Sequence, residues 1–288
     1  MLRQVRALEL RARGLAGSLF TGEARSLFRG QGLEFAEVRP WVDGDDHRAI
    51  DWNVSARFGA PYVKTFTPER DLTVLLVVDR SGSTATGEPV TKRDRNAELA
   101  AVLALAAAWH GDRVGLIGFT ARPELVRPPA RGRRAALRAV RDLLAHAPAG
   151  RCTRLGAALA HAGRLLGPRS IVVVISDFLA PDWEAPFREL AARHEVVALL
   201  VREPREVEVP AAGWIRVEDA ESGEQRLLDT AASAVREGAA QAAARHRHAV
   251  ARACREAGAD LLVLRTDEEW ATALRRLLLL RRRVQVVG

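Results

Sequence analysis

The sequence predicts an α/β protein built on a doubly wound, mostly parallel sheet. Three observations carry that prediction. Short, unbroken apolar runs recur at 72–78, 114–119, 171–175, 196–201 and 261–264, and runs without polar alternation mark strands buried on both faces. Between them lie alanine- and leucine-rich stretches whose apolar residues return at helical spacing. Strand and helix take turns along the chain, which calls for parallel neighbours joined by crossover helices.

Residues 1–71 mix charges, glycines and scattered aromatics and are read as an N-terminal region of their own. There Asp43-Gly44-Asp45 should form a turn, with Asp45 or Asp46 capping a short helix that contains Ile50 and Trp52. Arg48, Asp51 and Arg57 are expected to form internal ion pairs; a second metal site at this acidic cluster is the lesser alternative. The α/β domain occupies 72–280. Its first strand, Leu72–Val78, stops at Asp79. A helix follows over 94–110, with Leu99, Val102, Leu103 and Ala106 on one face. The next strand is Val114–Phe119, and Glu124–Val126 reads as a short edge strand before two prolines. Helices are expected at 131–146 and 153–166, the second burying Leu155, Leu159, Ala162 and Leu166. Strand Ile171–Ile175 runs into Ser176-Asp177, and a helix near 184–193 leads to strand Val196–Val201. Over 205–228 the rhythm breaks. Val207, Val209, Ile215 and Val217 alternate with polar residues, and Glu221–Glu224 resembles a turn, so an inserted β-hairpin or two is expected. A long helix at 229–257 should end at Gly258, followed by strand Leu261–Leu264, a last helix at 267–280 and a tail at 281–288.

Composition bounds the class. A chain of 288 residues that is 48% hydrophobic can bury a substantial core, and with only 5% aromatic residues the core must be aliphatic. Two cysteines, Cys152 and Cys254, are too few for a disulfide framework, so a reducing, cytoplasmic setting is expected. The first residues carry no apolar stretch followed by a cleavage site, and no signal peptide is expected. The longest apolar stretch, Leu99–Trp109, falls short of the ~20 residues of a membrane helix, so no membrane span is expected. The net charge of +8 invites nucleic acid, anionic membrane or acidic protein, but aromatics for stacking are sparse and no nucleic-acid-binding module is recognisable. The arginine runs at 131–141 and 275–283 read as solvated helix faces. His47, His110, His146, His161, His194, His246 and His248 show no ligand spacing and should lie at the surface. Cys152 is expected as a small buried residue. Walker loops, dinucleotide fingerprints and nucleophile elbows are missing from the sequence.

Functional groups in open α/β sheets gather at the carboxyl ends of strands, where strand order reverses. Three segments have that address: Asp79-Arg80-Ser81-Gly82-Ser83, the loop carrying Thr153, and Ser176-Asp177. Their residue types suit a hard cation. Asp79 and Asp177 bring carboxylates, while Ser81, Ser83 and Thr153 bring neutral oxygens, and Mg²⁺ takes about six oxygens. An ion with so few charged ligands would attract one more carboxylate from a partner. A simpler use for Ser83 and Thr153 is as N-caps of the helices that follow them.

The run Asp79-x-Ser81-x-Ser83 followed by Thr153 and Asp177 resembles the metal-ion-dependent adhesion site of von Willebrand factor A domains, and Asp112–Phe119 is similar to the second strand of that fold. The stretch from Arg39 through Trp41, Asp43, Asp45, His47, Ile50 and Trp52 to Arg57 resembles the signature preceding the A-like domain in the bacterial family called domain of unknown function 58. The resemblance implies Mg²⁺ (or Mn²⁺ or Ca²⁺) at Asp79, Ser81, Ser83, Thr153 and Asp177. It also implies a non-enzymatic role as partner of a MoxR-type AAA+ ATPase, with that ATPase or a client protein offering an Asp or Glu to the metal. Two positions depart from the family pattern. Thr84 stands where methionine is common, and Arg80 adds positive charge inside the metal loop. The alternatives are a metal-dependent phosphoester hydrolase with Asp79 as nucleophile or base, and a basic nucleic-acid-binding protein.

Overall fold

A computed structural model of the chain describes residues 33–42, 45, 50–68, 72–167 and 169–274. In the N-terminal region, β1 (Leu33–Pro40) pairs antiparallel with β2 (Tyr62–Pro68), and α1 (Trp52–Phe58) lies between them in sequence. The residue that caps α1 is Asp51, whose carboxylate accepts from the Asn53 and Val54 amides. Asp45 is not the cap. Asp45 is held by Arg39 through two hydrogen bonds of 2.7 Å, and that guanidinium pulls its carboxyl down to about 2. Ile50 precedes the helix and bridges to Val63. Asp43, Gly44, Asp46, His47 and Arg48 lie outside the described residues.

The main sheet has six strands in the order β10-β7-β6-β3-β4-β5: β3 (Thr73–Asp79), β4 (Arg113–Phe119), β5 (Pro123–Arg131), β6 (Ile171–Ser176), β7 (Glu195–Arg202) and β10 (Asp260–Arg265). All neighbours are parallel except β5, which runs antiparallel to β4. The apolar run of β3 divides by the period of two that a strand imposes. Val74, Leu76 and Val78 enter the core layer with α2 (Lys92–Trp109) and α3 (Arg133–Ala145). Leu75 and Val77 enter the opposite layer with α4 (Leu155–Leu165), α5 (Glu184–Ala191) and the end of α6 (Ser233–Glu256).

Several elements differ from expectation for identifiable reasons. Helix α2 is buried over nearly its whole length rather than on one face, because α3 and the Trp270–Leu274 segment flank it against the sheet. Strand β5 is nine residues long and includes Pro128 and Pro129. An edge position tolerates prolines, and the register shifts opposite Gly115, where an added Cβ would stand 3.0 Å from Pro129. Only one hairpin occupies the insertion, β8 (Trp214–Glu218) with β9 (Gln225–Asp229). Val207 and Val209 precede it outside any strand, after a 3₁₀ turn at Pro204–Glu206. Because β9 extends to Asp229, α6 starts at Ser233. Its end is closed by Gly258 at φ 67°, with the Ala259 amide donating to Cys254 O at 2.8 Å. The last helix begins at residue 270. Its continuation, the arginine run at 275–283 and the tail lie outside the described residues. Arg134, Arg138 and Arg141 of the first run are exposed, as a solvated face requires. Among the described residues no helix is long and apolar enough to cross a membrane.

Candidate functional site

The first crossover helix, α2, leads from β3 to β4 on one side, while β6 lies on the other side of β3. Strand order therefore reverses between β3 and β6, and the cleft at their carboxyl ends is the expected ligand address. Asp79 closes β3 there, 0% exposed. Its Oδ1 accepts from the Ser81 amide at 2.9 Å and from Ser81 Oγ at 2.6 Å, and its Oδ2 accepts from Ser176 Oγ at 2.6 Å. Ser81 Oγ lies 3.2 Å from Ser83 Oγ, which donates to Asp177 Oδ2 at 3.0 Å. Asp79, Ser81, Ser83 and Asp177 thus form one chain of oxygens. Oxygens around an octahedral Mg²⁺ at 2.0–2.1 Å stand about 3 Å apart, and this spacing, with no nitrogen or sulfur in the set, fits a hard cation.

Thr153 arrives on the neighbouring loop, 3% exposed. The two loops are tied by the Gly82 amide, which donates to Arg151 O at 2.7 Å. The Thr153 hydroxyl makes no bond to the other four residues. It donates to Glu221 at the tip of the β8–β9 hairpin, and the Thr153 amide donates to the same carboxylate at 3.0 Å. Neither Ser83 nor Thr153 caps a helix: Ser83 lies inside the 3₁₀ turn Gly82–Ala85, and α4 begins after Arg154. Helix capping is therefore excluded as their role.

Charge around the oxygens is unbalanced. Burial pushes the Asp79 carboxyl up to about 6, and Asp177 pushes the same way against the hydrogen bonds from Ser176 and Ser81. Lys92, the first residue of α2, reaches Asp177 Oδ2 at 2.8 Å and also Glu206. Burial would lower this ammonium, but the two carboxylates outweigh it and its pKa is raised. Arg80 turns away from the oxygens. Its guanidinium donates to His146 O at 2.9 Å, as a residue between two inward-facing positions must, and burial lowers it to about 10.

A supporting layer fixes these loops. Glu124 accepts from Thr120 Oγ1 and from the amides of Ala149 and Gly150 at 2.9 and 3.1 Å, which shapes the approach to Thr153. Asn96 donates to Asp79 O at 3.2 Å, and His246 Nε2 donates to Asp177 O at 2.8 Å. Phe178, directly after Asp177, has φ 57°, a conformation unfavourable for a bulky residue. Its ring stacks edge-on with Trp183 at 5.0 Å and packs near Phe187 at 6.5 Å, which holds the turn. Several expectations are corrected here. His194 is buried, and His146, His161 and His246 are half-buried, His146 lying 3.3 Å from Glu124. Cys152 is exposed, because Thr153 takes the inward position beside it.

Sequence reasoning missed Glu221, Lys92, Glu124 and His246. It placed Ser176 at the end of β6 beside Asp177 but gave it no role in the site. The hairpin tip leaves no room at Gly82, where an added Cβ would stand 2.3 Å from Ala220 O. Gly82→Ala should therefore push the tip off the loop. Limited proteolysis would read this as faster cleavage within 219–224, and an unchanged digestion pattern would show that the tip does not depend on that contact.

Residues 37–249 match the family model described as Protein of unknown function DUF58. The uncharacterized protein Rv1480 of Mycobacterium tuberculosis is 38% identical over 289 residues, which covers 99% of this chain and 90% of that protein. The uncharacterized protein MAV169 of Mycobacterium avium is 45% identical over 121 residues, covering 42% of this chain and 71% of that protein. Among solved structures, the conserved hypothetical protein BatB of Bacteroides thetaiotaomicron is similar at 15% identity and a TM-score of 0.45, over 74% of this chain and 99% of that one. The SpRpn10 VWA domain is similar at 11% identity and a TM-score of 0.38, over 70% and 93%.

Proposed function

Because the chain belongs to the DUF58 family, we propose that it is a protein-interaction module. In this reading Asp79, Ser81, Ser83, Thr153 and Asp177 hold one divalent cation, Mg²⁺ or Mn²⁺ or Ca²⁺. The cation would supply a positive centre for an Asp or Glu of a partner. The observation that carries the reading is the chain of carboxylate and hydroxyl oxygens at about 3 Å spacing on the switch-point loops. What the residues themselves do is plain. Asp79 orients Ser81 through two hydrogen bonds, Ser83 bridges to Asp177, and the Glu124 carboxylate holds the loop that presents Thr153. The partner class proposed is a MoxR-type AAA+ ATPase, or a client that such an ATPase remodels, because the N-terminal signature resembles that of the family paired with these ATPases.

The non-enzymatic part of the proposal rests on Asp79. Asp79 is 0% exposed and accepts three hydrogen bonds from Ser81 and Ser176, which screens its carboxylate from a bulky phosphoester while leaving one Oδ2 lone pair for a small cation. Phosphatase turnover that depends on Mg²⁺ and disappears in Asp79→Ala would reverse this in favour of the hydrolase.

Excess Mg²⁺ or Mn²⁺ should raise the melting temperature by on the order of 5 °C, the shift expected of a ligand at about 100 times its Kd in a chain of this size. Asp79→Ala combined with Ser81→Ala should remove the shift and abolish capture of the ATPase in a pull-down. A melting temperature indifferent to divalent cations in the unaltered protein would end the metal reading.

A further inference from the structure

The β8–β9 hairpin forms a small sheet of its own, and its tip meets the candidate site. Its tip is rigidly built. Asp219 Oδ1 accepts from the Glu221 and Ser222 amides at 3.0 and 2.7 Å, the Gly223 amide donates to Asp219 O at 2.8 Å, and Gly223 takes the left-handed turn at φ 75°. That tip is folded back over the candidate site. Ala220 O packs on Gly82, closely enough to exclude a Cβ there, and the Glu221 carboxylate sits on the amide and hydroxyl of Thr153. A carboxylate from outside the five predicted residues therefore meets the one hydroxyl of the set that the other four do not engage.

We infer that Glu221 is an internal carboxylate ligand of the same cation, seated where a partner's Asp or Glu would bind, so that a partner engages by displacing the hairpin tip. The inference rests on the metal-binding reading above and deepens it. It defines the partner chemistry more narrowly: the incoming acidic residue must outcompete a tethered carboxylate, whose effective concentration at the site is high. It also explains why the tip needs so tight a turn. A loose loop would let the carboxylate wander, whereas the Asp219-capped turn holds it in place.

The test uses the full chain, Mg²⁺ as the metal and acetate as the carboxylate probe. Mg²⁺ affinity is measured by calorimetry for the unaltered protein, Glu221→Gln, Glu221→Ala and Asp79→Ala. Loss of a charged ligand should weaken Mg²⁺ binding at least about 10-fold in both Glu221 variants, and excess acetate should restore it in Glu221→Ala but change nothing in the unaltered protein. Residue 221 lies at a partly exposed turn, and the glutamine variant keeps an oxygen for the Thr153 amide, so Glu221→Gln reads the loss of charge with the fold retained, and a thermal melt checks the fold of Glu221→Ala. If the unaltered protein binds Mg²⁺, Asp79→Ala does not, and both Glu221 variants bind as tightly as the unaltered protein without any acetate effect, the internal ligand is refuted while the metal site stands. If the unaltered protein takes up no Mg²⁺, the metal reading falls and the internal ligand falls with it.

Discussion

Lys92→Met should destabilise the protein by about 3–5 kcal/mol, the range for removing one member of a buried ion pair. The Lys92 ammonium is 1% exposed and its main partner, Asp177, is 2% exposed. Methionine fills nearly the same volume, so the loss is electrostatic rather than a cavity. Asp177 would then keep only the Ser83 hydroxyl and the Leu179 amide as donors among the described residues, too little for a buried carboxylate. Glu206, the second partner, is 32% exposed and can turn to water, which keeps the effect within this range. The same substitution separates structure from function. A divalent cation at the oxygen chain would supply charge to Asp177, so Mg²⁺ should recover part of the lost stability and its stabilising effect should be larger in the variant than in the parent. Chemical denaturation with and without Mg²⁺ measures both. Equal stability of the two proteins without metal would show that Asp177 does not rely on the lysine.

The fold was legible because its signals are local. An unbroken aliphatic run such as Val74–Val78 has no solution but a strand covered on both sides, and the alternation of such runs with alanine-rich helices leaves little topological choice. Asp79, Ser81 and Ser83 could be singled out because they fall within one turn at a strand end, and Asp177 because it ends another strand. Lys92 and Glu221 could not. Lys92 stands 85 positions before Asp177, and Glu221 stands 68 positions after Thr153. In the sequence the first is one of 44 lysines and arginines and lies just before the expected helix, and the second is part of a turn. The turn at Glu221–Glu224 was readable, but where a hairpin docks is decided by side chains of the surface it meets, here the missing Cβ of Gly82. The same holds for the edge. Two prolines argue for the end of a strand, and only an unpaired flank with Gly115 opposite allows β5 to run through them.

Asp112→Asn should make the protein more stable above about pH 7, with an advantage that grows from pH 4 upward. Asp112 lies between Gly111 and the first residue of β4, is 4% exposed, and has one carboxylate oxygen with no hydrogen-bond partner among the described residues. Burial alone pushes its carboxyl up from 3.8 to about 7. Below about pH 4 the group is protonated in both the folded and the unfolded chain, and it places no charge in the core. Between about 4 and 7 the folded chain binds the proton that the unfolded chain has released, so unfolding becomes easier as pH rises. Above about 7 the folded chain holds the anion and the penalty is complete, on the order of 2 kcal/mol once solvent screening of this partly buried carboxylate is allowed for. Asparagine has the same shape and never ionises. Its amide contributes an offset that does not vary with pH, so the difference in stability between variant and parent isolates the ionisation. Asp79, also raised by burial, titrates in both proteins and cancels in that difference. Denaturation of the two proteins at a series of pH values between about 4 and 8 reads the slope, and a difference that stays constant across the series would mean that Asp112 ionises in the folded protein as it does in water.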